Sequence, residues 1–172
     1  MDDECRQFQI NHMTEHLSER LKRLCREVLR RLPAGWDEYR TICFGESEDR
    51  PTPSPDTIGY ASAHRDEEEE SHEWELPPGV PPEQCWTITL YREHLALLSD
   101  EACRYVIAHE LGHAASGLRT GGIVVAGRPY TQTAPGQYEP PPGKSQHEDA
   151  ADRLALQWEF SEELQQFFRE TA

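Results

Sequence analysis

The sequence predicts one domain that mixes α-helices with short β-strands, and three stretches carry that expectation. Apolar residues recur at three- and four-residue steps over residues 8–32, the spacing of one helix face. Trp86-Thr-Ile-Thr-Leu-Tyr91 alternates apolar and polar residues, the pattern of a half-buried strand. Tyr105 to Ser116 is an apolar run bearing two histidines four residues apart, which a helix would place on one side. At 172 residues the chain is long enough for a single substantial core. With 36% hydrophobic residues and 13 prolines, that core is modest and the loops are long.

The first unit, residues 1–35, is read as an amphipathic helix over 8–32. Ile10, Met13, Leu17, Leu21, Leu24, Val28 and Leu32 form its apolar side, and Pro33 and Gly35 end it. Arg20, Lys22, Arg23, Arg26, Arg30 and Arg31 cover much of the remainder. Such a basic face is most simply solvated, but it also suits an acidic partner or the chain's own Asp66–Glu70 run. Tyr39–Phe44, closed by Gly45, reads as a short strand, and Glu46 to Asp56, with three prolines, as a loop. Thr57–Ala63 is a second strand candidate, and residues 64–82 form an acidic, proline-rich insertion. Trp86–Tyr91 is the best strand, with Trp86, Ile88 and Leu90 on one face.

The helix that follows has Ser99 as N-cap, Asp100 and Glu101 at its positive end and Gly117 to close it. Thr120–Gly127 is a short hairpin or an irregular segment, and 127–143 a proline- and glycine-rich loop holding Tyr130 and Tyr138. The last helix is expected from about Ser145 to Arg169, with Ala151, Leu154, Ala155, Trp158, Leu164, Phe167 and Phe168 on its apolar side.

The chemistry concentrates in His109-Glu-Leu-Gly-His113. One helical turn apart, His109 and His113 can aim ring nitrogens at a single Zn²⁺, with Glu110 placed to accept a proton from its water. Catalytic zinc sites of this kind use three protein ligands. The metzincin extension would need glycine at position 116 and histidine at 119, where the chain has Ser116 and Arg119. The last helix opens with His147-Glu-Asp-Ala-Ala-Asp152. Glu148 would be the third ligand, and Asp152, one turn on, would accept the free ring N–H of a ligating histidine. Ser145-x-x-Glu148 also reads as a capping box that merely starts the helix, and His147 is the alternative ligand. His147, Tyr130 and Tyr138 are candidates for stabilising an oxyanion.

The net charge of −15 argues against binding a nucleic-acid backbone, which calls for clustered cations. Five widely spaced cysteines without a C-x-x-C pair suit reduced thiols in a cytoplasmic protein. No stretch approaches the ~20 apolar residues of a membrane span, and the acidic N-terminus does not resemble a signal peptide.

His109-Glu-Leu-Gly-His113 followed by Glu148-Asp-Ala-Ala-Asp-Arg-Leu-Ala155 resembles the small gluzincin metallopeptidases, especially the compact bacterial and phage type that includes the ImmA/IrrE family. The likeness covers Trp86 to about Leu164. It implies a zincin-like α+β fold, a small twisted sheet packed on the motif helix with the last helix crossing it. It further implies His109, His113 and Glu148 as ligands of one Zn²⁺, Glu110 as general base and Asp152 as the support behind them. Trp86–Tyr91 would be the edge strand that receives an extended substrate. The acidic insertion and the lack of an attached helix-turn-helix depart from that family's pattern. The expected activity is zinc-dependent cleavage of a protein or peptide. The alternatives are a regulatory protein with a structural zinc, or a latent protease with residues 66–82 or 127–143 across its cleft.

Overall fold

A computed structural model describes residues 3–37, 41–48, 59–65, 85–116, 123–125 and 130–171. The mixed α+β class holds among them. Helix α1 (Asp3–Thr14) and helix α2 (Glu19–Arg31) lead into strand β1 (Thr41–Ser47), strand β2 (Gly59–Arg65) and strand β3 (Cys85–Tyr91). A single helical turn, α3 (Arg92–Leu95), precedes the long helix α4 (Asp100–Ser116). Strand β4 (Ile123–Val125), the hairpin strands β5 (Thr131–Ala134) and β6 (Gln137–Glu139), and helices α5 (Gln146–Gln157) and α6 (Ser161–Thr171) complete the order.

The main sheet runs β1-β3-β2-β4. Strand β1 is parallel to β3, whereas β3 with β2 and β2 with β4 are antiparallel. Trp86, Ile88 and Leu90 on β3 are buried, as is Phe44 on β1, so the alternation on these strands is the imprint of one core-facing side. Helix α4 packs on β2 and β3 and is flanked by α2, α5 and α6. Its residues from Tyr105 to Ala114 are all buried, which accounts for a sequence apolar on nearly every side. Each large apolar side chain sequestered there, such as Ile107 or Leu111, is worth about 1.5–3 kcal/mol relative to exposure.

Five expectations change. The helix expected over 8–32 is two helices, α1 and α2, that pack on each other. Their apolar spacing continues across the break because Leu17 in the connection is buried like Leu21 and Leu24; periodicity reports burial, not continuity. Glu46 from β1 accepts the Ser18 N–H at the start of α2, a tertiary cap that no local pattern announces. The helix expected over 145–169 is likewise split into α5 and α6. Trp86–Tyr91 is not an edge strand: β1 and β2 occupy its two sides in register. The 127–143 loop contains the β5–β6 hairpin, and Thr120–Gly127 contains β4, which pairs with β2. Residues 66–82 of the acidic insertion, and Gly117, lie outside the described residues.

The split near residue 159 has a clear backbone cause. Glu159 adopts a left-handed φ of 67°. The Phe160 N–H bonds to Ala155 O and the Glu159 N–H to Leu156 O, each at 3.0 Å. That pair of bonds is the Schellman closure, which normally uses glycine at the left-handed position. Arg31 seals the corner from α2: its guanidinium lies 3.8 Å from the Phe160 ring centroid, pairs with Glu163 and donates to Glu159 O.

The basic face of α2 is engaged within the chain. Arg20 and Arg23 pair with Asp100, Lys22 with Glu19, Arg26 donates to Thr14 and Arg30 to Gln7. Among the described residues, no helix is long and apolar enough to cross a membrane.

Candidate metal centre

Helix α4 starts where expected: the Ser99 hydroxyl accepts from the Ala102 N–H at 3.2 Å. It is further anchored by Glu170 of α6, which accepts from both the backbone N–H and the hydroxyl of Ser99. With the helix so fixed, Tyr105, His109 and His113 stack one turn apart on a single side. Helix α5 then crosses α4 in close contact. A Cβ built on Gly112 would sit 2.7 Å from Ala151 O, so the crossing exists only because residue 112 has no side chain.

That crossing brings His109, His113 and Glu148 together as a group able to hold a metal ion, the one such group among the described residues. His109 Nε2 lies 2.8 Å from Glu148 Oε2, His113 Nε2 lies 3.3 Å from Glu148 Oε1, and the two Nε2 atoms are 3.1 Å apart. Three corners of a tetrahedron with bonds of 2.0–2.1 Å are separated by about 3.3–3.4 Å, so the triangle is close to the size that a small divalent ion requires. The chemistry of the donors fits as well. Two imidazole nitrogens facing each other across 3.1 Å repel unless a proton or a cation lies between them. One carboxylate completes the set.

Behind the donors stands Asp152, fully buried. Its Oδ1 accepts from His109 Nδ1 at 2.7 Å and from the Tyr105 hydroxyl at 2.5 Å, and its Oδ2 is paired with Lys144. With a metal ion bound, an Nδ1–H held by Asp152 would leave the Nε2 lone pair for the ion; without one, Nε2 faces the Glu148 carboxylate and shares a proton with it. Glu110, with both oxygens buried and unpartnered among the described residues, follows the first histidine directly.

Burial and neighbouring charge act against each other throughout. Burial opposes a proton on His109, but Asp152 and then Glu148 outweigh it and raise its pKa. Burial would raise Glu148, yet hydrogen bonds from His109 and His113 hold it well below the usual carboxylate range. Asp152 is also held low against burial, by His109 and then Lys144. His113 is lowered, chiefly by burial. Glu110 has no partner to offset desolvation and is pushed up to about 8, with the charge of His109 opposing and those of Glu148 and Asp152 adding. These are responses expected when several ionisable groups share a site of low dielectric.

Of the capping box at Ser145 and Glu148, only the serine half forms. The Glu148 backbone N–H bonds to the Ser145 hydroxyl at 3.2 Å, so Ser145 is a true N-cap, while the Glu148 carboxylate turns to the histidines rather than back to the cap. His147 is not in the donor group; its Nδ1 is buried without a partner among the described residues. Tyr130 is buried and its hydroxyl donates to Asp149 at 2.8 Å. Tyr138 lies against the core, and its carbonyl accepts from Arg153. Tyr105 and Lys144 were not anticipated. The signal for Tyr105 was its place four residues before His109, on the same helix side; Lys144 had none, because it precedes the N-cap of α5 and reaches Asp152 from outside the helix pattern.

Compared with known proteins, the chain matches no family model, no curated protein and no solved structure.

Proposed function

We propose that the chain is a zinc-dependent endopeptidase, with His109, His113 and Glu148 holding the metal and Glu110 as the general base. The observation that carries this reading is the convergence of the three donors beside a buried, unpartnered Glu110. Two histidines and a glutamate form a donor set known in catalytic zinc sites, where the fourth position stays open to water. The same reading places the α+β fold with the zincins: a small sheet packs on α4, and α5 crosses that helix with the third donor.

Zinc bound there would supply Lewis acidity, polarising a peptide carbonyl and lowering the pKa of a water molecule toward ~7. The protein's own groups do the rest. Asp152 holds His109 in the tautomer that presents Nε2 to the centre. Glu110 takes the proton of the attacking water and delivers it to the departing amine, and its apolar surroundings keep that carboxylate from being tied up by another partner. An extended substrate would add at an edge of the sheet, β1 or β4, since β3 is internal.

The experiment is metal analysis joined to turnover of a peptide library. The wild type should retain about one zinc per chain and cleave. Glu110→Gln should retain the zinc and lose cleavage by about 10²–10⁴-fold. A Glu110→Gln protein that cleaves like its parent ends the proposal.

A further inference from the structure

Lys144 occupies an unusual place for a lysine. Its side chain is only 14% exposed, and its ammonium lies 4.9 Å from the Tyr130 ring centroid and 5.5 Å from that of Phe168 while pairing with the fully buried Asp152. The approach is built into the backbone. Gly143, with a left-handed φ of 84°, and a bond from the Lys144 N–H to Pro141 O at 3.3 Å turn the chain just before Ser145 caps α5. The lysine then reaches along that helix to a carboxylate two turns away.

Asp152 divides its oxygens. Oδ1 takes the Tyr105 hydroxyl and His109 Nδ1, whereas Oδ2 meets Lys144. A buried carboxylate costs several kcal/mol unless it is paired, and a carboxyl free to rotate would not hold an imidazole in one orientation.

We propose that Lys144 is a positioning residue for the metal centre: by clamping Oδ2 of Asp152, it locks Oδ1 onto His109 and so presets the ligand for the ion. This rests on the metal-centre reading above. Lys144 touches no donor directly, and its effect should travel only through Asp152.

The test is zinc affinity at neutral pH, measured by competition with a chromophoric chelator on the full chain. Lys144→Met keeps the stem over the aromatic rings and removes the charge; it should weaken zinc binding by about 10–100-fold, the range for losing a group that supports a metal ligand. Lys144→Gln is carried beside it in case the first variant does not fold, with near-ultraviolet circular dichroism of the metal-free proteins as the control. Lys144→Arg should restore most of the affinity. The decisive comparison is a cycle with Asp152→Asn. In that background Lys144→Met should change affinity by no more than about twofold, because the group it acts through is gone. An equal loss in both backgrounds, or wild-type affinity in both folded charge-removing variants, overturns the proposal while leaving the metal centre intact. A wild-type protein that takes up no zinc overturns both.

Discussion

Gly112→Ala is the most direct probe of how the site is assembled. In an ordinary helix interior the change would stabilise the protein by about 1 kcal/mol, through the better helix propensity of alanine. Here the new methyl would lie 2.7 Å from Ala151 O, 3.0 Å from its Cα and 3.2 Å from its carbonyl carbon. All three are backbone atoms of α5, so no side-chain rotation relieves the contact. To reach an ordinary separation of 3.4 Å, helix α5 must withdraw by about 0.7 Å. Overpacking of this kind costs about 1–3 kcal/mol; set against the propensity gain, the net loss is about 0–2 kcal/mol. For a chain of this size that lowers the melting temperature by up to about 8 °C. The metal centre should suffer more. Glu148 and Asp152 ride on α5, and ligand distances tolerate only about ±0.2 Å, so zinc affinity should fall by about 10–100-fold. Thermal melts of the metal-free protein and a zinc competition titration measure the two effects separately. A Gly112→Ala protein about 1 kcal/mol more stable than wild type, with unchanged zinc affinity, would refute the close-crossing argument.

Three further outcomes are expected. Tyr105→Phe removes the donor 2.5 Å from the ionised Asp152 Oδ1 and should cost about 1.5–3 kcal/mol in urea unfolding; a neutral result would mean that the hydroxyl is not bonded in solution. Glu159→Gly relieves a left-handed residue in the turn between α5 and α6 and should raise stability by about 0.5–1 kcal/mol, whereas Glu159→Ala should not. Asp100 is held below its ordinary value of 3.8 chiefly by a hydrogen bond from Arg23, against burial, with Arg20 adding. Because the folded value is the lower one, this stabilisation is complete above pH 3.8 and fades as pH falls through the folded value. Wild type should therefore exceed Asp100→Asn in urea midpoint at pH 7 and lose that margin as pH falls below 3.8 and through the folded value; a margin that did not shrink in acid would contradict the pairing.

Element type was legible in the sequence where burial and local geometry agree. Trp86–Tyr91 forms a strand with its apolar residues turned to the core, and Ser99 caps the helix it was expected to cap. Boundaries failed where a tertiary contact replaced a local signal. Nothing near Ser18 shows that Glu46 will receive its N–H, and a glutamate at position 159 conceals a turn that glycine would have announced. The edge assignment of Trp86–Tyr91 failed for another reason. Strand order depends on which neighbours pair, and alternation along one strand carries no information about whether β1 or open solvent lies beside it.

The same distinction runs through the candidate site. His109 and His113 are four residues apart on one helix, so their convergence is a local property readable from spacing alone. Glu148 joins them from another helix, and its position depends on Gly112 permitting α5 to approach. In the sequence Gly112 is only the residue between Leu111 and His113; in three dimensions it is the gap through which Glu148 arrives. Ser145 shows the converse. A capping box would have spent the Glu148 carboxylate on the Ser145 N–H, but only the Ser145 half forms, and the carboxylate goes to the histidines instead. Half of the box is enough to start the helix through the Glu148 N–H, which leaves its carboxylate for the candidate metal centre.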